Sequence, residues 1–93
     1  MTDARLAALP DRTRRHLEQL QSELVERLGD DLQAIVAFGS LARGGFDPER
    51  SDIDLVIVLR NDTRAGLRSI GPALDVARSA ARIEAMILRG DEL

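Results

Sequence analysis

The stretch "SDIDLVIVL", residues 51–59, joins two aspartates to an unbroken aliphatic run. A run of this length, rich in β-branched residues, predicts a buried strand over residues 52–59. Asp is depleted in strands, so Asp52 and Asp54 at its beginning need a reason. Residues two apart in a strand lie on one face, about 6.6 Å apart along it, which predicts two neighbouring carboxylates.

The residues before this strand predict a helix and a second strand. Leu17, Leu20, Leu24 and Leu28 recur at helical spacing, which predicts an amphipathic helix over residues 11–28 that ends at Gly29. The short β-branched run "QAIVAF", residues 33–38, predicts a buried strand. We expect a turn or a short helical turn and then a loop to join it to residue 52.

The residues after it predict a helix and a third strand. Residues 61–63 are good capping residues, and apolar residues continue from there at helical spacing, interrupted by Gly71-Pro72, so we expect a helix in two pieces. The run "RIEAMIL", residues 82–88, alternates as a strand does. This alternation places Glu84 on the face opposite Ile83 and Ala85.

Composition limits the function. With 93 residues, we expect one α/β domain over residues 1–93, either complete or the N-terminal part of a longer protein. The net charge of -3 argues against a nucleic-acid-binding protein, and the absence of lysine excludes P-loop phosphate chemistry. The chain has no cysteine, and its N-terminus has no signal-peptide profile, so we expect a cytoplasmic location without a membrane association.

The aspartate pair and a glycine-serine turn suggest a phosphate site with a metal ion. Two neighbouring carboxylates repel each other, and a divalent cation such as Mg²⁺ or Mn²⁺ relieves the repulsion. The alternative is a solvated pair at the entrance of a strand. Gly39 allows close approach of a ligand to the backbone, and Ser40 adds a hydroxyl donor. Taken alone, Gly39-Ser40 is equally compatible with an ordinary turn.

These motifs resemble the DNA polymerase β-like nucleotidyltransferases, and within them the minimal nucleotidyltransferases encoded beside HEPN-domain proteins. The resemblance rests on "GSLARG", residues 39–44, and "SDIDL", residues 51–55, set on a similar order of helices and strands. It implies an α/β fold with a small mixed β-sheet and helices packed on one face.

The resemblance also implies a catalytic site. Gly39 and Ser40 would hold the β- and γ-phosphates, and Asp52 and Asp54 would bind two Mg²⁺ ions. The family places a third carboxylate on a later strand, and Glu84 is the acidic residue inside the third apolar run. The alternative for Glu84 is a strand residue that faces solvent.

Three further residues complete the candidate set. Arg43 and Ser51 belong to the two motifs and are candidates for nucleotide binding. Arg43 would either reach phosphate or form a surface ion pair. His16 lies on the predicted first helix beside Leu17, and we expect a surface or helix-packing role for it.

The implied reaction is the transfer of a nucleoside monophosphate, AMP from ATP by preference, to an acceptor hydroxyl. The resemblance suggests a protein acceptor, a HEPN-type toxin neutralised by this chain as antitoxin. One alternative is an aminoglycoside-type nucleotidyltransferase, which would need an additional acceptor-binding domain. Another is a non-catalytic antitoxin or regulatory module. A homo-oligomer is compatible with each of these interpretations.

Overall fold

The computed structural model describes residues 9–38, 52–61 and 63–92. Within these ranges the chain forms, in order, helix α1 (Asp11–Leu28), strand β1 (Leu32–Phe38), strand β2 (Ile53–Leu59), helix α2 (Arg64–Ala81) and strand β3 (Ile83–Arg89). Single 3₁₀ turns follow α1 and β3, at Gly29–Asp31 and Gly90–Glu92. The predicted order of helix, strand, strand, helix and strand is confirmed.

Helix α1 has the bounds that its leucine spacing predicts. The leucines at positions 17, 20, 24 and 28 are all buried, because helical residues three or four apart share one face. The helix ends at Gly29, whose φ of 53° is a conformation that glycine adopts without strain. The Gly29 N–H donates to the Val25 carbonyl oxygen.

The sheet is mixed, as predicted, and β2 is its central strand. Strands β1 and β2 pair antiparallel, with Phe38 opposite Asp54. Strands β2 and β3 pair parallel, with Ile53 opposite Ile83. Parallel neighbours need a crossover connection, and helix α2 provides it.

Helix α2 begins at a side-chain cap. The Gly66 N–H donates to the Thr63 side-chain oxygen at 3.0 Å. A β-carbon at position 66 would lie 2.9 Å from that oxygen, so the glycine leaves room for the cap. Residues 61–63 therefore contain the predicted capping residue.

The predicted break at Gly71-Pro72 is wrong, because α2 runs without interruption. A proline inside a helix removes one backbone hydrogen bond. Its ring also clashes with the β-carbon of the preceding residue when that residue is helical. Glycine at position 71 has no such carbon. Ile70 and Ala77, on either side of the proline, are buried in the same core and hold the two halves in line.

The core lies between the helices and one face of the sheet. The strand residues of this core face are Ile35, Ala37, Ile53, Leu55, Ile57, Leu59, Ile83, Ala85 and Ile87. The buried leucines of α1 and the buried residues of α2 pack against them. The predicted α/β fold, with helices packed on one face, is confirmed.

The opposite face of the sheet, called the open face below, carries the alternate residues. They are Ala34, Val36, Phe38, Asp54, Val56, Val58, Glu84, Met86 and Leu88. Val36, Phe38 and Met86 are 48%, 40% and 55% exposed, because both described helices pack on the core face. Neither of these helices combines the length and the hydropathy of a membrane-spanning segment.

Candidate active site

Asp54 and Glu84 are direct neighbours across two parallel strands. Asp54 on β2 is the register partner of Glu84 on β3. Register partners on adjacent strands have side chains on the same face, and the strands lie about 4.8 Å apart. Both residues are therefore on the open face, at the N-terminal ends of β2 and β3. The predicted orientation of Glu84, opposite Ile83 and Ala85, is confirmed.

Asp52 is placed by an ion pair. Strand β2 begins at Ile53, one residue later than predicted, so strand alternation does not orient the Asp52 side chain. Its Oδ1 accepts a hydrogen bond from Arg82 Nε at 3.0 Å. The two side chains are about half exposed, 42% for Asp52 and 52% for Arg82. The carboxylate of Asp52 thus faces a cationic side chain.

Arg82 holds its position through its backbone. It caps the C-terminus of α2 in the left-handed conformation, with φ 56° and ψ 39°. Its N–H donates to carbonyl oxygens of the last helical turn, and its own carbonyl oxygen accepts from the Ile53 N–H at 3.0 Å. Arg82 thereby links the first residue of β2, Ile53, to the end of α2.

Arg82 is a functional candidate that the sequence patterns do not reveal. They predict it as part of the third strand, whereas β3 begins at Ile83. Two signals point to it: a cation is favoured at a helix C-terminus, and position 82 is two residues before Glu84. Its contact with Asp52 joins residues 30 positions apart, and local sequence patterns do not report such a pair.

The carboxylates fit a hard divalent cation in their chemistry. Mg²⁺ and Mn²⁺ prefer oxygen ligands, and they keep several waters when only one or two carboxylates bind them. Asp54 and Glu84 supply such a pair on neighbouring strands. Across residues 9–38, 52–61 and 63–91, however, no three acidic or histidine side chains converge closely enough to hold an ion. The joint role of Asp52, Asp54 and Glu84 as ligands remains a prediction.

Two grooves lie at opposite ends of the sheet. The groove beside Glu84 has a volume of about 360 Å³ and is lined by Leu74, Asp75, Arg78, Ile83, Glu84 and Ala85. A larger groove, about 730 Å³, lies at the other end and is lined by Gln33, Arg60, Asn61, Thr63, Arg89, Gly90 and Asp91. In the larger groove, Arg60 Nη1 donates to the carbonyl oxygen of Asp30 at 2.9 Å. Because that guanidinium group serves the fold, we assign the site to the carboxylate end.

The remaining candidates for phosphate binding lie outside the described residues. They are Gly39, Ser40, Arg43 and Ser51. Phe38, the last described residue before them, pairs with Asp54. Their role in nucleotide binding therefore remains a prediction.

His16 lies in a groove between the two helices. The groove has a volume of about 260 Å³, and its lining residues belong to α1 and α2 alone, including Pro72 and Ala73. His16 is on the helical layer and not on the open face of the sheet. This position is compatible with the surface or helix-packing role that the sequence predicts.

One family of known proteins matches the chain. A family model described as a nucleotidyltransferase domain matches residues 17–89. This range contains Asp52, Asp54 and Glu84 and ends with the last residue of β3. No curated protein and no solved structure matches the chain. The match supports nucleotidyl transfer as the general activity. Because it covers most of the 93 residues, the chain belongs to the nucleotidyltransferase domain family of the polymerase β-like superfamily.

Proposed function

We propose that this domain transfers a nucleoside monophosphate, AMP from ATP by preference, to an acceptor hydroxyl and releases pyrophosphate. The reaction requires Mg²⁺ or Mn²⁺. The observation that carries this proposal is the register of β2 and β3, which makes Asp54 and Glu84 neighbours on the open face. In a chain of the nucleotidyltransferase family, such a carboxylate pair is suited to metal-assisted phosphoryl chemistry.

Asp54 has a rigid support for a ligand role. Ile53 and Leu55, on either side of it, are 0% and 3% exposed on the core face, and β2 is paired on both edges. Packing and pairing therefore fix the backbone at Asp54 before a ligand arrives, which is the usual requirement for an efficient site. A bound divalent cation would neutralise charge on the triphosphate and on the leaving oxygen.

Glu84 is suited to a second role. It lies on β3, an edge strand among the described strands, and its side chain is exposed, so an acceptor can approach it. In the proposed step the acceptor oxygen bonds to the α-phosphorus, and its proton passes to the Glu84 carboxylate. The bond from the α-phosphorus to the bridging oxygen breaks, and pyrophosphate leaves. Gly39 and Ser40 would orient the leaving group.

The acceptor in this proposal is a hydroxyl on a partner protein of the HEPN type, modified in the cytoplasm. The exposed side chains of Val36, Phe38 and Met86 support a protein acceptor. They lie on the same face as Asp54 and Glu84. Exposed apolar side chains on one face suit a protein surface, whereas a polycationic small molecule such as an aminoglycoside calls for acidic and polar lining.

A second candidate is a non-catalytic antitoxin that acts by binding alone. The ion pair between Asp52 and Arg82 favours it, because that pair occupies a carboxylate that the metal would need. Among the described side chains, no three carboxylates lie close enough together to hold an ion, and this also favours the non-catalytic antitoxin. The two candidates differ in turnover: only the enzyme consumes ATP.

A transfer assay separates these candidates. The domain is incubated with ATP labelled at the α-phosphate, with Mg²⁺, and with the HEPN-domain protein of the same genome that binds it. We expect label on the partner and an equal amount of pyrophosphate, both lost in excess chelator and in Asp54→Asn. Glu26→Gln, an equal charge change at an exposed site on α1, should behave as wild type. A stable complex without label transfer would favour the non-catalytic antitoxin.

A further inference from the structure

We propose that Arg82 is a positioning residue that acts as the counter-ion of Asp52 and makes the site favour a metal-nucleotide complex over a free metal ion. The geometry that points to this role is the 3.0 Å contact between Arg82 Nε and Asp52 Oδ1 at the end of β2 that carries Asp54. The inference rests on the proposed function, because it requires that a divalent cation bind at the carboxylates of Asp54 and Glu84, close to the ion pair of Asp52 and Arg82.

The backbone holds Arg82 beside the carboxylates. Its N–H is bonded to the last turn of α2, and its carbonyl oxygen is bonded to the Ile53 N–H. The left-handed conformation, with φ 56°, is uncommon for a residue with a side chain. Strand β3 starts at the next residue, so Glu84 follows two positions later. The backbone of Arg82 is therefore fixed where both strands that carry the site begin, and the contact with Asp52 holds its guanidinium group there.

This charge has opposite effects on two ligands. A free divalent cation at the carboxylates is repelled by the guanidinium group, since like charges within a few ångströms interact unfavourably even in water. A complex of the cation with a triphosphate has a net negative charge and is attracted. Both Arg82 and Asp52 are about half exposed, so solvent moderates the effect. Removal of the charge should strengthen the binding of free Mn²⁺ by about 3- to 10-fold.

A purely structural role for Arg82 makes a different prediction. If the residue only ties α2 to β2, its replacement loosens the site, and the affinities for free cation and for cation with nucleotide fall together. The proposed role moves the two affinities in opposite directions. The ratio between them therefore separates the two explanations.

The chain offers a matched control for this test. Arg68 is an exposed arginine on the same helix, 14 residues before Arg82. At about 1.5 Å per residue this places it about 21 Å away along the helix, well beyond the Debye length of about 8 Å at physiological salt. Arg68→Gln removes the same charge without affecting the site.

The experiment measures free Mn²⁺ by electron paramagnetic resonance, with and without a non-hydrolysable ATP analogue. We expect Arg82→Gln to bind Mn²⁺ about 3- to 10-fold more tightly and the Mn²⁺-analogue complex a few-fold more weakly than wild type. Arg82→Lys should stay within about twofold of wild type, because it keeps the charge. Arg68→Gln should match wild type. Arg82→Asn serves if the Gln variant does not fold, since Asn adopts the left-handed conformation more readily.

The outcomes also separate this inference from the proposed function. Equal Mn²⁺ affinity in Asp54→Asn and wild type, or no Mn²⁺ binding by any variant, would overturn the metal site and the inference together. Mn²⁺ binding that depends on Asp54 but is unchanged in the charge-removing variants of Arg82 would overturn the inference alone. A parallel fall of both affinities in those variants would assign Arg82 a structural role and would also overturn it.

Discussion

The two faces of strand β2 differ in what they contribute. On the core face, Ile53, Leu55 and Ile57 are 0–3% exposed and pack beneath the two helices. On the open face, the alternate positions begin with Asp54, which lies beside Glu84 and opposite Phe38. Because successive strand residues point to opposite faces, one strand can supply the core and the candidate site at once. The core face fixes the backbone, and the open face is free to carry charge.

The open face is itself divided along its length. The carboxylates are at the N-terminal ends of β2 and β3, and apolar residues follow them. Val58 is 2% exposed although it is on this face, and it lies between Ala34 and Leu88 on the neighbouring strands. The face is thus closed to solvent at Val58, toward the end away from the carboxylates, whereas Val36 and Met86 remain open to a partner.

The largest expected effect is on catalysis at the open face. Asp54→Asn should lower the rate of AMP transfer by about 10³-fold or more, because the ligand of the cation that stabilises the transition state is lost. The free energy of unfolding without metal should stay the same or rise slightly, since a repulsion with nearby carboxylates is removed. Kinetic assays and urea denaturation check the two quantities. A large loss of stability would mean that Asp54 belongs to the core and not to a separate site.

The next effect sharpens the contrast in stability. Ile57→Ala on the core face should lower the free energy of unfolding by about 2–5 kcal/mol, because it leaves a cavity in packed surroundings. Met86→Ala, a deletion of similar size on the open face, should cost less than about 1 kcal/mol, because Met86 is 55% exposed. Equal costs in urea denaturation would show that the open face is buried in solution.

Glu84 gives a smaller change in rate. Glu84→Gln should reduce AMP transfer by about 10²-fold, the usual scale for loss of a general base, and leave stability within about 0.5 kcal/mol. Glu26→Gln makes the same change at an exposed acidic residue on α1, away from this groove; it is the control and should change neither. An unchanged transfer rate in Glu84→Gln would return Glu84 to the solvent-facing alternative.

The smallest effect concerns the turn that leads α1 back to the sheet. Gly29→Ala should destabilise the fold by about 1 kcal/mol, because φ of 53° strains a residue with a β-carbon, although no atom lies within 4 Å of that carbon. Asp30→Ala, at the next position, should stay within about 0.5 kcal/mol. Thermal denaturation distinguishes the two, and a neutral Gly29→Ala would mean that the turn can relax.

The sequence predicts much of the fold because its strongest signals are local and periodic. The leucine spacing of α1 and the aliphatic run of β2 are each repeated over several residues, so a single unusual residue would not hide them. The alternation in β3 predicts the orientation of Glu84 correctly. The break at Pro72 was wrong because a local signal was outweighed by core packing on both sides of it. Strong tertiary contacts override the local conformational preferences of single residues.

The candidate site is predicted less completely, for a different reason. The "SDIDL" motif marks Asp52 and Asp54 as candidate site residues, and the register of β2 with β3 was needed to make Glu84 a neighbour of Asp54. The partner of Asp52 was missed because Arg82 reaches it across 30 positions from a left-handed cap. Such a contact depends on how two elements meet, which neither segment encodes alone.

A crystal structure with Mn²⁺ and a non-hydrolysable ATP analogue tests the central claim most directly. The claim is that Asp54 and Glu84 act together on the open face as a cation site for a nucleotide. The anomalous scattering of Mn²⁺ distinguishes the ion from water and from the light atoms of the protein. We predict a peak about 2.0–2.2 Å from carboxylate oxygens of Asp54, with Glu84 bound to the ion directly or through a water, and the triphosphate on the same ion. A peak elsewhere, or a nucleotide bound only in the groove beside Arg60 and Arg89, would contradict the claim.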